Sequence, residues 1–290
     1  MKTIAHIQKS APAHWVGNGF HVNSLFFYEQ DAEALSPFLM LDYGSPRSFA
    51  PSTQPRGVGQ HPHRGFETVT VAYQGEIEHR DSEGNRGTIG PGDVQWMTAA
   101  SGIVHEEWLS PMFNARGGVL EMAQLWVNLP AKDKMAPPRY QEIVKAQIPT
   151  VVDDGGARVQ VVAGEYAGTC GPALTYSPIN VWDTQISVGQ TLNLTLKEGY
   201  TTLFAVLKGS VNVNDAQTVA SPALVILDRE GTEAKLEALG ADATVLVLNG
   251  EPLHEPVVGY GPFVMNTEAE IMQAMQDFQS GRFVRAKAAA

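Results

Sequence analysis

His61-Pro62-His63-Arg64-Gly65-Phe66-Glu67-Thr68-Val69-Thr70-Val71-Ala72-Tyr73-Gln74-Gly75 decides how the chain is read. From Glu67 to Gln74, β-branched and aromatic residues alternate with polar ones and stop at a glycine turn, which reads as a strand. Ahead of it, His61 and His63 are two residues apart. On a strand, residues at i and i+2 share a face, so both imidazoles can reach one ion.

The same grammar extends outward. Val94–Met97, Gln124–Leu129, Val159–Ala163, Leu203–Leu207, Leu224–Leu227 and Thr244–Leu248 are short apolar runs. Turn signals separate them, such as Gly90-Pro91-Gly92-Asp93 and Asp153-Asp154-Gly155-Gly156. Many short strands with tight turns predict an all-β sandwich or barrel. A weak repeat predicts two of them. Thr201-Thr202-Leu203-Phe204-Ala205-Val206-Leu207-Lys208-Gly209 mirrors Glu67–Gly75. Laying one on the other puts Thr195 opposite His61 and Lys197 opposite His63, so the second half repeats the strands without the histidine pair. Pro130–Val144, with Pro137-Pro138, reads as a connector, and the expected division is 1–132 and 133–290. Thr267 and Glu270 form a capping box ahead of Ile271, Met272, Met275 and Phe278, with Gly281 as the stop. That is a C-terminal helix packed on a barrel.

His105-Glu106-Glu107 repeats the two-residue spacing and adds an imidazole and a carboxylate from another strand. His61, His63, His105 and Glu107 therefore form the candidate ligand set. Three imidazoles and one carboxylate, with no thiolate, suit a first-row transition ion with open positions rather than a closed structural zinc site. Glu67 has three readings: a ligand, a partner that orients a histidine, or a solvent-facing strand residue. Glu76, Glu78 and His79 resemble a ligand cluster, but His79 has the opposite parity and the polar turn at Asp81-Ser82 follows. They read as a solvated hairpin edge. His6, His14, His21 and His254 lack partners at useful spacing and read as structural.

The 290 residues carry a formal net charge of -11 with no dense Lys/Arg run, which disfavours direct nucleic-acid binding. Cys170 is the only cysteine, so no internal disulfide forms. No apolar run approaches the roughly 20 residues of a membrane span. With no secretory signal evident either, the expected location is the cytoplasm.

The stretch from His61 to Val69 resembles the pirin family of the cupin superfamily. So do Gly90–Ala99, Ser101-Gly102-Ile103-Val104-His105 and Gln124–Pro130. The resemblance is dense from about Phe38 to Pro130. It implies a bicupin: two cupin barrels facing each other, with the metal in the N-terminal one. It implies His61, His63, His105 and Glu107 as the ligands, and it makes Glu67 a supporting residue beyond them. Two departures stand out: Ala100 replaces a more usual glycine, and Glu106 sits between the ligands where a smaller residue is common. Glu106 is expected to face away from the metal. The cofactor implied is one divalent metal, iron(II) first, with nickel, copper, cobalt, manganese or zinc as alternatives. The activity implied is that of a quercetin 2,3-dioxygenase, which opens the central ring of a flavonol with O₂ and releases carbon monoxide. Glu107 would act as general base, in a pocket lined by Phe66, Met97 and Trp126. The family's other known role is a metal- and redox-responsive regulator that binds a transcription factor or a metabolic enzyme. A monomer is expected.

Overall fold

The computed structural model describes residues 1–284. Strands dominate, and the chain separates into two compact units. Each unit has the expected barrel architecture, two antiparallel sheets around a core.

The division does not follow chain order. The first barrel takes Ala13–Val22, Asp42–Val144 and the chain from His254 onward. The second takes Met1–Pro12, Asn23–Leu41 and Lys145–Leu253. One break between 132 and 133 therefore describes neither unit, because the chain ends are exchanged. Ile4–Lys9 pairs with Ala223–Leu227 in the second barrel, while the C-terminal helix belongs to the first. Pro130–Val144 is also more than a connector. Its residues Arg139–Ile143 form a strand of the first barrel.

In the first barrel, one sheet contains β1 (Gly57–His63), β5 (Ile103–Leu109) and β3 (Ile77–Asp81), in the order β1, β5, β3, followed by Arg86–Ile89. The other runs β7 (Arg139–Ile143), β4 (Val94–Thr98), β2 (Phe66–Gln74), β6 (Gly118–Asn128) and onward. Successive side chains on a strand point to opposite faces. On β2 this puts Phe66, Thr68, Thr70 and Ala72 on one face and Glu67, Val69 and Val71 on the other. Ala72 packs with Ile77, Ile89 and Leu109, so the even-numbered face is the interior.

Between β1 and β2 the chain turns at Gly65, whose φ is +91°. A Cβ there would lie 1.9 Å from the Val264 carbonyl oxygen, so only glycine fits. Buried Lys134 braces this turn. Its Nζ donates to Gly65 O at 2.7 Å, Asn128 Oδ1 at 2.6 Å and Val264 O at 2.9 Å. Burial pushes this ammonium down to about 7, against the pull of Glu255 and Glu270. Arg64 Nη1 donates to Asp277 Oδ2 at 2.7 Å, tying the same turn to the helix Glu268–Gln279. That helix starts at Thr267 with the expected capping box. Its buried face is Ile271 and Ala274, packed on Phe263, Met265 and Phe283. Met272 and Phe278 are exposed, so the apolar stripe is narrower than the sequence spacing implied.

In the second barrel, β9 (Thr201–Lys208) lies between Ala223–Leu227 and β11 (Ala243–Gly250). The opposing sheet holds β8 (Thr191–Thr195), β10 (Glu233–Ala238) and Ser210–Val213. Its interior is largely apolar, with Leu194, Leu196, Phe204, Val225, Leu236 and Val247 in one cluster, while Thr184, Thr202 and Asn249 are buried at inward positions of its strands. Thr195 and Lys197 are exposed. The inward residues here are Leu194 on β8 and Leu196 just beyond it, each one position earlier than the sequence alignment placed them. The turn explains the slip. Phe66 and Tyr200 both lie nine residues before their turn glycine, but Phe66 is three residues after His63 and Tyr200 four after Leu196.

Candidate metal centre

β1 and β5 are antiparallel neighbours, with His105 directly opposite His61 and Ile103 opposite His63. A register shift between His105 and Glu107 interrupts the ladder at the point where both side chains turn inward. His61, His63 and His105 come together, with ligand atoms within 4.8 Å of one another. Their ring centroids are 4.2 to 4.9 Å apart. Three imidazoles this close can converge on one ion.

Each ring is prepared for that task. His61 is half-buried, and its Nδ1 lies 2.8 Å from the Gly59 carbonyl oxygen. A carbonyl only accepts, so Nδ1 carries the hydrogen and Nε2 keeps a lone pair. His105 Nε2 is buried without a hydrogen-bond partner. An orphaned polar atom of this kind costs about 1–3 kcal/mol unless something binds it. Burial and the neighbouring imidazoles hold His63 and His105 well below the usual histidine range, so both rings are neutral, the form a metal requires. The donor set fits a divalent transition ion.

Glu107 is buried and sits on the far side of His105, grouped with His105 and His79 rather than with all three histidines. Three donors hold its carboxylate. Thr70 Oγ1 and Gln95 Nε2 each donate to Oε1 at 3.3 Å, and Gln124 Nε2 donates to Oε2 at 3.1 Å. Thr70, Gln95 and Gln124 lie opposite one another on β2, β4 and β6. None of the three was singled out in the sequence, because each is an ordinary polar residue on a strand.

His79 overturns the reading of a solvated hairpin edge. It is 0% exposed, with its ring 5.3 Å from that of His105 and stacked on Tyr140 at 4.8 Å. His79 and Glu78 do point to opposite faces, and the His79 face is the inward one. Ile77, two residues earlier and fully buried, marks the inward side of β3. Glu78, on the outer face, is held by Arg80 and Arg86. There it lines a groove of about 570 Å³ with Glu106 and Trp108, so Glu106 does face away from the histidines.

Glu67 is 1% exposed but points to the sheet face opposite the histidines. It lies across from Thr98, whose hydroxyl donates to its Oε1 at 2.6 Å, and Arg139 is 3.9 Å away. Burial raises its carboxyl to about 7, despite the Thr98 hydrogen bond and the nearby Trp96 and Arg139. It neither ligates nor touches the cluster. Of the expected pocket residues, Trp126 is half-buried, 5.4 Å from the His63 ring and 4.3 Å from Phe66. Phe66 is fully buried behind it. Met97 is also fully buried, packed on Ala99, Ile103 and Tyr140. His61, Gln124 and Trp126 are the half-buried residues at this end of the site.

Comparison with known proteins agrees with this architecture. The profile described as Pirin matches residues 19–127, and that described as Pirin C-terminal cupin domain matches 181–284. A Pseudomonas aeruginosa protein named "Putative quercetin 2,3-dioxygenase" is 55% identical over 99% of this chain and 100% of its own length. A crystal structure of quercetin 2,3-dioxygenase from Acinetobacter baumannii superposes with a TM-score of 0.95 at 53% identity, covering 98% of each chain. A crystal structure of the bacterial pirin YhhW from Escherichia coli in complex with nickel(II) shares the fold. Its TM-score is 0.64 at 20% identity, over 85% of this chain and 99% of that one. Among the described residues, no helix is long and apolar enough to cross a membrane.

Proposed function

This chain belongs to the pirin family, and from that premise we propose that it is a metal-dependent dioxygenase acting on flavonols such as quercetin, with iron(II) as the first candidate metal. The observation that carries the reading is the convergence of His61, His63 and His105, with a buried, unpartnered nitrogen on His105. Relatives that carry the dioxygenase name over nearly their whole length support the substrate class.

His61, His63 and His105 would hold the ion, with Glu107 as the fourth ligand. When bound, the metal supplies a Lewis acid for the flavonol 3-oxygen and a template for O₂. The chain does the rest. Glu107, oriented by Thr70, Gln95 and Gln124, takes the proton of the flavonol 3-hydroxyl as general base. Trp126 offers its half-buried ring as a platform for the planar substrate, with Phe66 behind it. The buried walls of the barrel keep water from the reacting ring. The products are the ring-opened depside and carbon monoxide.

The test pairs metal analysis with turnover. The protein, purified without added metal, should hold about one equivalent of a first-row ion and consume quercetin and O₂. His61→Ala should lose both properties, and Glu107→Gln should lose turnover. One equivalent of metal with no turnover, after reloading with iron, nickel, copper or cobalt, would reject the enzyme and favour a metal-dependent regulator that binds a protein partner.

A further inference from the structure

We propose that Asp81 and His79 form a buried relay that fixes the tautomer of His105 and so decides which of its nitrogens is offered to the metal. The inference rests on the metal-site reading above and adds two positioning residues to it.

The relay begins at Asp81, at the turn that ends β3. Asp81 Oδ1 accepts from the backbone N–H groups of Glu83 and Asn85, at 2.9 and 3.0 Å, and from Asn85 Nδ2 at 3.2 Å. Its Oδ2 accepts from Asn85 Nδ2 at 2.9 Å. Only an ionised carboxylate satisfies so many donors. Burial pushes this group up, and the hydrogen bonds from His79 and Asn85 outweigh it and hold it below the usual range. An anionic Asp81 accepts only. His79 Nε2, 3.1 Å from Oδ2, must therefore carry the hydrogen.

That fixes the next step. The other ring nitrogen of His79, Nδ1, is an acceptor, because the amide nitrogen that faces it, Gln95 Nε2, donates. Two groups face it: Gln95 Nε2 at 3.2 Å and His105 Nδ1 at 3.4 Å. The orientation of the Gln95 amide is settled by its other contacts. Its Nε2 also faces the Glu107 carboxylate, and its Oε1 faces the Tyr140 hydroxyl. A flipped amide would set oxygen against two acceptors. If His105 Nδ1 were also bare, two lone pairs would oppose each other between two buried rings. A hydrogen on His105 Nδ1 turns the repulsion into a long hydrogen bond and leaves Nε2 bare. Nε2 is the buried nitrogen with no partner. The stacking of His79 on Tyr140 holds the relay ring in plane. Ligating histidines commonly lean on a carboxylate or carbonyl through the other nitrogen. Here the carboxylate acts through an intervening imidazole.

The test is spectroscopic and needs no turnover. Long-range ¹H–¹⁵N spectra of the metal-free protein at pH 8 should show His79 as the Nε2–H tautomer and His105 as Nδ1–H. With zinc(II) bound, the ¹⁵N shift change on His105 should fall on Nε2. Asp81→Asn and, separately, His79→Phe should each weaken zinc(II) binding by about 10–100-fold in chelator competition. Backbone spectra check that each variant is folded. The second variant matters because Asp81 also holds its own turn. His105 as the Nε2–H tautomer in the wild type would overturn the proposal. So would zinc coordinated by His79 itself, or two folded variants with unchanged affinity. A wild-type protein that takes up no metal would sink the proposed function, while the metal-free tautomers would still decide the relay.

Discussion

Counted from their turn glycines, Gly75 and Gly209, the two barrels share a strand register and fill it with opposite chemistry. On β2, Thr70 faces Gln95 and Gln124 across the sheet. On β9, the residue at the same count is Phe204, and it faces Val225 and Val247. His79 lies opposite Glu107 on β5. Val213 occupies the matching place and lies opposite Leu236 on β10. His61 lies opposite His105, and Leu194 lies opposite Ala234. Every polar member of the candidate site thus has an apolar counterpart, and all of those counterparts sit in one buried cluster. The strand frame is therefore indifferent to the chemistry inside it. A buried leucine stabilises the fold by roughly 1.5–3 kcal/mol. A buried, unpartnered imidazole nitrogen works against it. The first barrel accepts that cost where a ligand can offset it, and the second gives the matching positions to packing.

His105→Ala should break the contrast most completely. Bound metal should fall from about one equivalent to none, a loss of more than about 100-fold in affinity, checked by mass spectrometry of the purified protein. Metal retained at one equivalent would mean that the ion sits elsewhere. Leu194→Ala is the mirror experiment. Truncating this fully packed side chain should cost about 2–5 kcal/mol in denaturant unfolding and leave the metal content unchanged. A drop in metal with little loss of stability would show that the second barrel shares in the site.

The polarity of the first barrel reaches beyond the site, and Glu67 gives it a pH signature. Its carboxyl is raised from an ordinary 4.5 to about 7 by burial. The native state therefore binds a proton that the unfolded chain releases between these two values. The stabilisation is full below about pH 4.5 and is lost as pH rises through about 7. A shift of this size corresponds to about 3 kcal/mol. Glu67→Gln should flatten the fall in unfolding free energy between pH 5 and pH 8. An unchanged slope would place the titration in another group. In the second barrel the residue at the same count is Thr201, buried and without charge, so no matching dependence is expected there.

How far the sequence could be read follows from the same contrast. Both barrels were legible because strand periodicity and glycine turns are local signals. The three histidines were legible because spacing of two on a strand carries its own geometry. Thr70, Gln95 and Gln124 were not, because their role arises only when three strands bring them to one carboxylate. His79 was lost to a choice between two faces that parity alone cannot make, although buried Ile77 on the same strand held the answer. The exchange of chain ends between the barrels depends on long-range pairing, as in Ile4–Lys9 with Ala223–Leu227, which no local pattern encodes.

The smallest expected effect lies at Ala100, in the loop leading to His105. The sequence marked it as an alanine where a glycine is more usual. Its φ is +42°, in the left-handed region where a Cβ crowds the backbone. The loop has reason to hold that shape, since the Ala100 carbonyl accepts from the N–H of Gly65 at 2.8 Å, next to the turn that follows His63. Two terms compete in Ala100→Gly. Removing the Cβ relieves about 1–2 kcal/mol of local strain. The greater freedom of glycine in the unfolded chain returns about 0.4–1 kcal/mol of that. The net is a gain of about 0–1.6 kcal/mol, or a rise of up to a few degrees in Tm, with zinc(II) affinity unchanged. A fall in stability would mean that the loop relaxes to negative φ in solution, and the hydrogen bond to Gly65 would then have to be lost with it.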